Sequence, residues 1–382
     1  MEGVIKVLSA NCQGLRDKTK RADVINYLEG LGGNIICLQE THWVNKDIGS
    51  VKNIWKGECF INGFKTNSRG VAVLIKPNFE YKIRETIANK EGNLLILDII
   101  LNDISVRLIN VYAPNIDSPN YYLEVERYIK TAETNYVILC GDLNLTLNPN
   151  MDCVNYKHLN NPCARNKLLE IIDNHKLKDA FRVLNPLAKR YTWRRKKPLK
   201  QARLDYYLVS DNMIDIIKNC NIKPGYRSDH SIIELNIVLC KFKQGKGVWK
   251  FNCSLLKNKE YLLKINKAIE EEQERYAISN IDKGGTPSSD SSEQAIGDGL
   301  FLETLLLRLR GETIKFSTIQ KQKNNLKENE LINNIAKLEQ ENQLGTELES
   351  AKAQLETLRE EKMNGIRTRN LPQSDWYPQT ET

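Results

Sequence analysis

Several things are scarce or missing in this chain of 382 residues. It has four histidines, so few side chains can change charge near neutral pH. Its nine cysteines include no C-x-x-C pair. That argues against a zinc ribbon and against a dense disulfide framework. Reduced, mostly buried thiols in an intracellular protein, nuclear or cytoplasmic, are the expectation. No apolar run approaches the ~20 residues that span a bilayer, so no membrane partner is expected. The N-terminal residues enter a strand pattern at positions 4–8 without signal-peptide architecture. There is no internal repeat.

What is present divides the chain in two. Hydrophobic residues make up 41% and charged residues 27%, which suits a globular protein. Residues 1–240 hold 34 Lys and Arg against 26 Asp and Glu, whereas residues 241–382 hold 22 of each. The whole net charge of +8 therefore sits in the first part, which points to a polyanionic partner there.

Up to residue 240, short apolar runs alternate with helical stretches. Strands are expected at 4–8, 35–38, 71–75, 94–100, 106–111, 136–140, 204–209 and 231–239, and helices at 20–31, 121–131 and 165–175. Several runs are apolar on both faces, as in strands covered on both sides. The class is α/β, with sheets inside and helices outside. Beyond that, 241–300 reads as a connector with a Gly/Ser-rich linker at 283–299. Residues 301–364 read as a charged helical segment, and 365–382 as a tail. Leu331, Ile335 and Leu338, then Leu348, Ala351, Leu355 and Leu358, follow heptad-like spacing on either side of Gly345. A coiled coil that self-associates and a solvated single helix both fit such short patches.

Polar groups recur at the ends of the strand-like runs. Asp142 and Asn144, in Gly141-Asp142-Leu143-Asn144, point the same way on an extended backbone. Together they could take a proton from water and hold that water in line. Glu40 closes the run at 35–38 and offers an oxygen to a hard divalent ion. Asn11 could donate to a phosphate oxygen, as could the phenol of Tyr112. Asp205 in Arg203-Leu204-Asp205-Tyr206 and His230 in Ser228-Asp229-His230 suit a carboxylate that orients an imidazolium. Such an imidazolium would neutralise charge that develops on a phosphate under attack. Each motif alone reads equally as a turn or a core edge. Their recurrence at successive strand ends is what suggests metal-assisted cleavage of a phosphate ester.

A basic stretch lies beside these groups. Residues 189–203 hold eight Lys and Arg and no acid. Arg194, Arg195, Lys196, Lys197 and Arg203 are candidate phosphate contacts for double-stranded DNA.

The motif set N-x-x-G, L-Q-E-T, R-G-V-A-V-L, N-V-Y-A-P, G-D-L-N, R-L-D-Y and S-D-H runs from 11 to 230. It resembles the endonuclease/exonuclease/phosphatase superfamily, which includes DNase I and exonuclease III-type enzymes. The resemblance implies a DNase I-like four-layer α/β sandwich, two packed mixed β-sheets flanked by helices, here with a C-terminal helical extension. It implies Mg²⁺, with Mn²⁺ as a substitute, near Glu40 and Asp229. It implies phosphate contacts from Asn11, Tyr112 and His230, and Asp142 with Asn144 at the nucleophilic water. Within the superfamily the sequence is most similar to the endonuclease domain of LINE-type retrotransposon polyproteins. Asn11-Cys12-Gln13 replaces the Asn-x-Asp of abasic-site enzymes. Tyr191-Thr192-Trp193-Arg194 precedes Arg203-Leu204-Asp205-Tyr206, and Ser228 precedes Asp229-His230, which adds Thr192 and Ser228 to the implied DNA contacts. The absence of any Asp-Asp pair removes the polymerase signature that follows in those polyproteins. The implied activity is nicking of one DNA strand to leave a 3′-hydroxyl that primes reverse transcription. An abasic-site repair nuclease and a catalytically dead remnant that only binds are the alternatives.

Overall fold

Long apolar runs form the middles of the sheets in the computed structural model, which describes residues 4–65, 67–156, 158, 160–195, 197–238, 251–281, 298–340 and 346–369. Lys196, Trp249, Lys250, most of the expected linker and the tail beyond 369 lie outside the described residues.

The chain begins with β1 (Val4–Asn11), α1 (Lys18–Gly30), β2 (Ile35–Gln39), α2 (Ile48–Lys52), β3 (Glu58–Asn62) and β4 (Val71–Ile75). It continues through β5 (Lys82–Ala88), β6 (Leu94–Leu101), β7 (Ile104–Tyr112), α3 (Pro119–Lys130) and β8 (Val137–Asp142). Next come α4 (Pro149–Asp152), β9 (Cys153–Val154), α5 (Pro162–Asn174), β10 (Leu177–Asp179) and α6 (Ala180–Leu184). β11 (Trp193–Arg195), β12 (Lys200–Ala202), β13 (Asp205–Ser210), β14 (Ile217–Lys223) and β15 (Ile232–Val238) follow, then α7 (Lys259–Ile281), α8 (Asp298–Gln340) and α9 (Thr346–Arg369).

Two six-stranded sheets carry the core, in the orders β14-β15-β1-β2-β4-β3 and β10-β13-β8-β7-β6-β5. Both are mixed: β1 runs parallel to β2, and β7 to β8. Val7, Val73, Leu97, Leu108, Cys140 and Leu235 fill the space between the sheets. Because strand side chains alternate, Leu94, Ile96, Ile109 and Leu139 face the other way and pack on α3 and α5 through Tyr122, Val125 and Leu168. On the outer face of the first sheet, Val24 and Leu28 of α1 lie beside Ala10 and Ile232. The side chain of Asp17 caps α1 by accepting from Lys20 N at 2.7 Å. The result is the expected four-layer sandwich. A small ribbon, β11-β12-β9, stands outside both sheets.

Every expected strand is present. The strands of the large sheets that the apolar pattern does not announce are β3, β5, β10 and β14, which are the four sheet edges. β5 (KIRETIA) shows why: an edge strand need not bury a face, and most of its residues are exposed.

The chain divides into two compact units, Met1–Lys246 with Ala336–Leu348, and Gly247–Ile335 with Glu349–Thr382. In the second, Leu255, Tyr261 and Phe316 form a small core, and Tyr261 Oη and Thr313 Oγ1 are 2.7 Å apart. Arg359 donates to Glu328 at 3.1 Å, and Lys362 donates to Asn325 one turn earlier at 3.2 Å, which joins α9 to α8 in antiparallel sense. Of the residues in the two heptad-like patches, Ile335, Leu338, Leu348, Ala351, Leu355 and Leu358 are buried and Leu331 is half-buried. No helix among the described residues is long and apolar enough to cross a membrane.

Candidate active site

Strand directions bring the polar motifs to one edge of the sandwich. β1, β2, β7 and β8 end there, and β13 and β15, antiparallel to β8 and β1, begin there. In the second sheet, Asp205 pairs in register with Asp142, and Asp142 with Tyr112. Near its end β8 needs glycine: at φ +129°, a Cβ on Gly141 would lie 2.0 Å from Val111 O of the adjacent β7. Gln13, Glu40, Asn144 and Arg227 hold left-handed φ values of 49°, 49°, 50° and 54° in the loops around this edge. Strained backbone of this kind concentrates at functional sites.

Asp142 is buried at the centre. Its Oδ2 accepts from Asn11 Nδ2 of the other sheet at 2.9 Å, and its Oδ1 accepts from Asn144 N at 2.9 Å. Burial pushes its carboxyl up to about 7, against the opposing pull of His230 and of those two donors. His230 Nδ1 is 2.9 Å from Asp205 Oδ2, and its Nε2 is 3.8 Å from Asp142 Oδ2. Burial alone would lower His230, but the carboxylates of Asp205 and Asp142 outweigh it and lift it to about 10. At neutral pH His230 is thus an imidazolium, with Asp142 poised to accept a proton.

The remaining expected residues fall around this pair. Glu40 accepts from the phenol of Tyr112. Burial and that carboxylate push the phenol well above its usual range, so it stays a donor. Asn144 donates its side-chain amide to Ala113 O at 2.7 Å, which fixes its orientation. Ser228 Oγ donates to Asn11 O at 2.8 Å and accepts from His230 N at 3.2 Å, so it ties two strand ends together. Asp229 is exposed, and its Oδ2 accepts from Trp193 Nε1 at 3.0 Å.

The donor chemistry fits a hard divalent ion. Asp142, Asp205 and His230 each offer a ligand atom, all within 4.8 Å of one another. Asp205 Oδ1 is buried with no hydrogen-bond partner among the described residues, an oxygen that a cation or its water would satisfy. As an imidazolium, however, His230 has no lone pair to give. Glu40 and Asp229 lie at the ends of β2 and β15, the strands flanking β1. All-oxygen donors of this type suit a hard divalent cation.

Two expected DNA contacts are placed differently by the structure. Arg203 is 1% exposed, with bonds of 2.9 and 3.0 Å to Asp152 and of 3.0 and 2.6 Å to Asp179. Its donors are spent inside the protein, where it anchors the start of β13. Thr192 is also buried, and its Oγ1 accepts from Leu204 N at 2.9 Å and Asp205 N at 3.1 Å. It holds the backbone that carries Asp205. Arg195 and Lys197 are exposed on the hairpin, and Arg194 is paired with Glu339 of the Ala336–Leu348 stretch in the same unit.

Sequence reasoning missed the polar pins between the sheets. Gln39 Nε2 donates to Ser9 Oγ at 3.0 Å and to Asn110 Oδ1 at 2.7 Å, and Asn110 Nδ2 donates to Ala72 O at 2.9 Å. Their signal was present: each is an amide that adjoins apolar strand residues and is buried, where an unpaired polar group would be costly.

A sequence profile of the endonuclease/exonuclease/phosphatase family matches residues 8–230. The chain is 26% identical over 262 residues to an uncharacterized 149 kDa protein of the transposon TX1 from Xenopus laevis. That match covers 67% of this chain and 20% of the transposon protein, so the chain spans about a fifth of that relative's length. It is also 26% identical over 263 residues to an exodeoxyribonuclease of Bacillus subtilis (strain 168), covering 61% of this chain and 99% of that protein. Among solved structures it is similar in fold to the AP endonuclease LMAP from Leishmania major, with a TM-score of 0.53, 18% identity, and coverage of 62% of this chain and 88% of that one.

Proposed function

The chain belongs to the endonuclease/exonuclease/phosphatase family as a metal-dependent phosphodiesterase, and on that premise we propose that it nicks one strand of double-stranded DNA. The observation that carries this reading is the join between chemistry and surface. Thr192 bonds the backbone of Asp205 at one end of β11, and from β11 the basic hairpin projects. A polyanion held by the hairpin would lie against the pair Asp142 and His230.

In this reading Asp142 takes a proton from a water that attacks phosphorus in line. The bond from phosphorus to the 3′ oxygen breaks, and that oxygen leaves with a proton from solvent as a 3′-hydroxyl. The imidazolium of His230, held by Asp205, offsets the negative charge that grows on the phosphoryl oxygens. Asn11 and Asn144 keep Asp142 oriented, and the Tyr112 phenol faces Glu40 as a donor. Mg²⁺, with Mn²⁺ as a substitute, would be held by Glu40 and Asp229 and would supply Lewis-acid neutralisation of phosphate charge. The similarity to a transposon protein supports a role in which the 3′-hydroxyl primes reverse transcription, in the nucleus or wherever else the chain meets DNA. Self-association through α8 and α9 is a further proposal, testable by light scattering. Most of the residues expected to drive it are already buried within one chain.

The test is a plasmid-nicking assay with and without Mg²⁺, followed by polymerase extension of the product. Nicking only with metal, and extension without end repair, are expected. Strong preference for an abasic duplex would favour the repair reading instead. Duplex binding without cleavage would favour a remnant that only binds.

A further inference from the structure

Asp229 differs from its neighbours. Ser228 and His230 are bonded inward, whereas Asp229 is exposed on the turn after Arg227. Its carboxylate is met by the indole N–H of Trp193, which donates to Oδ2 at 3.0 Å. Trp193 is tied to the same strand end through its backbone. It forms an isolated antiparallel bridge with His230, and beside it Ser231 N donates to Thr192 O at 2.6 Å. Trp193 is also the first residue of β11, in register with Ala202 of β12, so it stands at the root of the basic hairpin.

The chemistry of that contact is specific. An exposed carboxylate on a turn keeps rotamer freedom that binding a cation must remove. An indole N–H is an uncharged donor with no lone pair of its own to offer. It therefore holds one oxygen of Asp229 and does not compete for the cation as a charged partner would. Partners that orient a ligand in this way are commonly worth ~10–100-fold in metal affinity. A phenylalanine would fill similar space without the donor.

We propose that Trp193 is a positioning residue that presets Asp229 for the divalent cation and couples the cation site to the DNA-holding hairpin. This rests on the reading of Asp229 as a metal ligand. Binding of DNA to the hairpin and binding of the cation then reinforce each other, because both order the same residue.

The experiment titrates Mn²⁺ into the full chain, reading the free ion by its paramagnetic resonance signal. It compares wild type, Trp193→Phe, Asp229→Asn and the double variant. Trp193→Phe should weaken Mn²⁺ binding by about tenfold and raise the metal concentration for half-maximal nicking to match, with kcat at saturating metal nearly kept. Asp229→Asn should weaken binding too, and adding Trp193→Phe to it should change nothing further. Trp193→His, which keeps a ring N–H, should recover part of the loss. Unchanged affinity in Trp193→Phe beside a clear loss in Asp229→Asn overturns the proposal alone. Additive losses in the double variant also overturn it, since the indole would then act by another route. Unchanged affinity in Asp229→Asn overturns the assignment of Asp229 as a ligand, and the proposal with it.

Discussion

The side-chain amide of Asn11 reaches across from one sheet to donate to Asp142 in the other, at 2.9 Å and 131 residues apart in sequence. That bond favours the charged form of a carboxyl that burial otherwise pushes up to about 7. Asn11→Ala should therefore raise Asp142 further and move the acid limb of the kcat/KM profile to higher pH. Activity near pH 6 should fall more than activity near pH 8. A uniform loss at every pH would mean that Asn11 acts on the phosphate and not on the base.

Asp205 sets the opposite limb. His230 stays protonated up to about 10 because the carboxylates of Asp205 and Asp142 overcome its burial. Asp205→Asn removes one of them, so the alkaline limb should move down, with kcat reduced by roughly 10²–10⁴-fold. Stability follows with a defined sign. A histidine whose folded pKa is raised stabilises the fold fully below its unfolded value of ~6.5, and that contribution is lost as pH rises through the folded value. The stability gap between wild type and Asp205→Asn should therefore be widest below about pH 6.5 and narrow towards pH 10. A constant gap in denaturation measured across that range would contradict the charged pair.

Arg203 gives a prediction opposite to the one its sequence context suggests. Removing it leaves Asp152 and Asp179 without their common partner, and Asp152 is fully buried. Breaking a buried pair from one side costs about 3–5 kcal/mol. Arg203→Ala should thus lower the thermal midpoint sharply and lose nicking through unfolding. Thr192→Val should act more mildly, by about 1–3 kcal/mol for two buried N–H groups left without an acceptor. A folded Arg203→Ala protein with a reduced salt dependence of DNA binding would restore Arg203 to the DNA surface.

These placements show what the sequence could and could not carry. The central strands were legible because burial on both faces writes continuous apolar runs, and the candidate site groups were legible because each borders such a run, Asn11, Glu40, Tyr112 and Asp142 at its end and Asp205 and His230 at its start. The edges β3, β5, β10 and β14 were not, since one covered face leaves too weak a pattern. Arg203 was misjudged because its basic neighbours are local while its partners lie 51 and 24 residues away. The bond between Trp193 and Asp229 spans 36 residues and depends on how β11 meets β15. Pairings of that kind are set by the fold and leave no periodic trace.

The hairpin should govern binding more than chemistry. Arg195 and Lys197 are exposed on it, and Arg194 is engaged by Glu339. Each true phosphate contact releases close to one counterion, so log K against log salt should flatten by about 0.9 for each contact removed. Replacing Arg195 and Lys197 by Gln should weaken duplex binding and flatten the slope by up to about 1.8, while cleavage at saturating DNA falls far less than in His230→Ala. Arg194→Gln carries a second reading. Its carboxylate partner competes with phosphate, so Glu339→Gln should tighten duplex binding if Arg194 is a contact and leave it unchanged if the pair is structural. An unaltered slope in the Arg195 and Lys197 variant would move the DNA path off the hairpin, and with it the observation on which the nuclease reading chiefly stands.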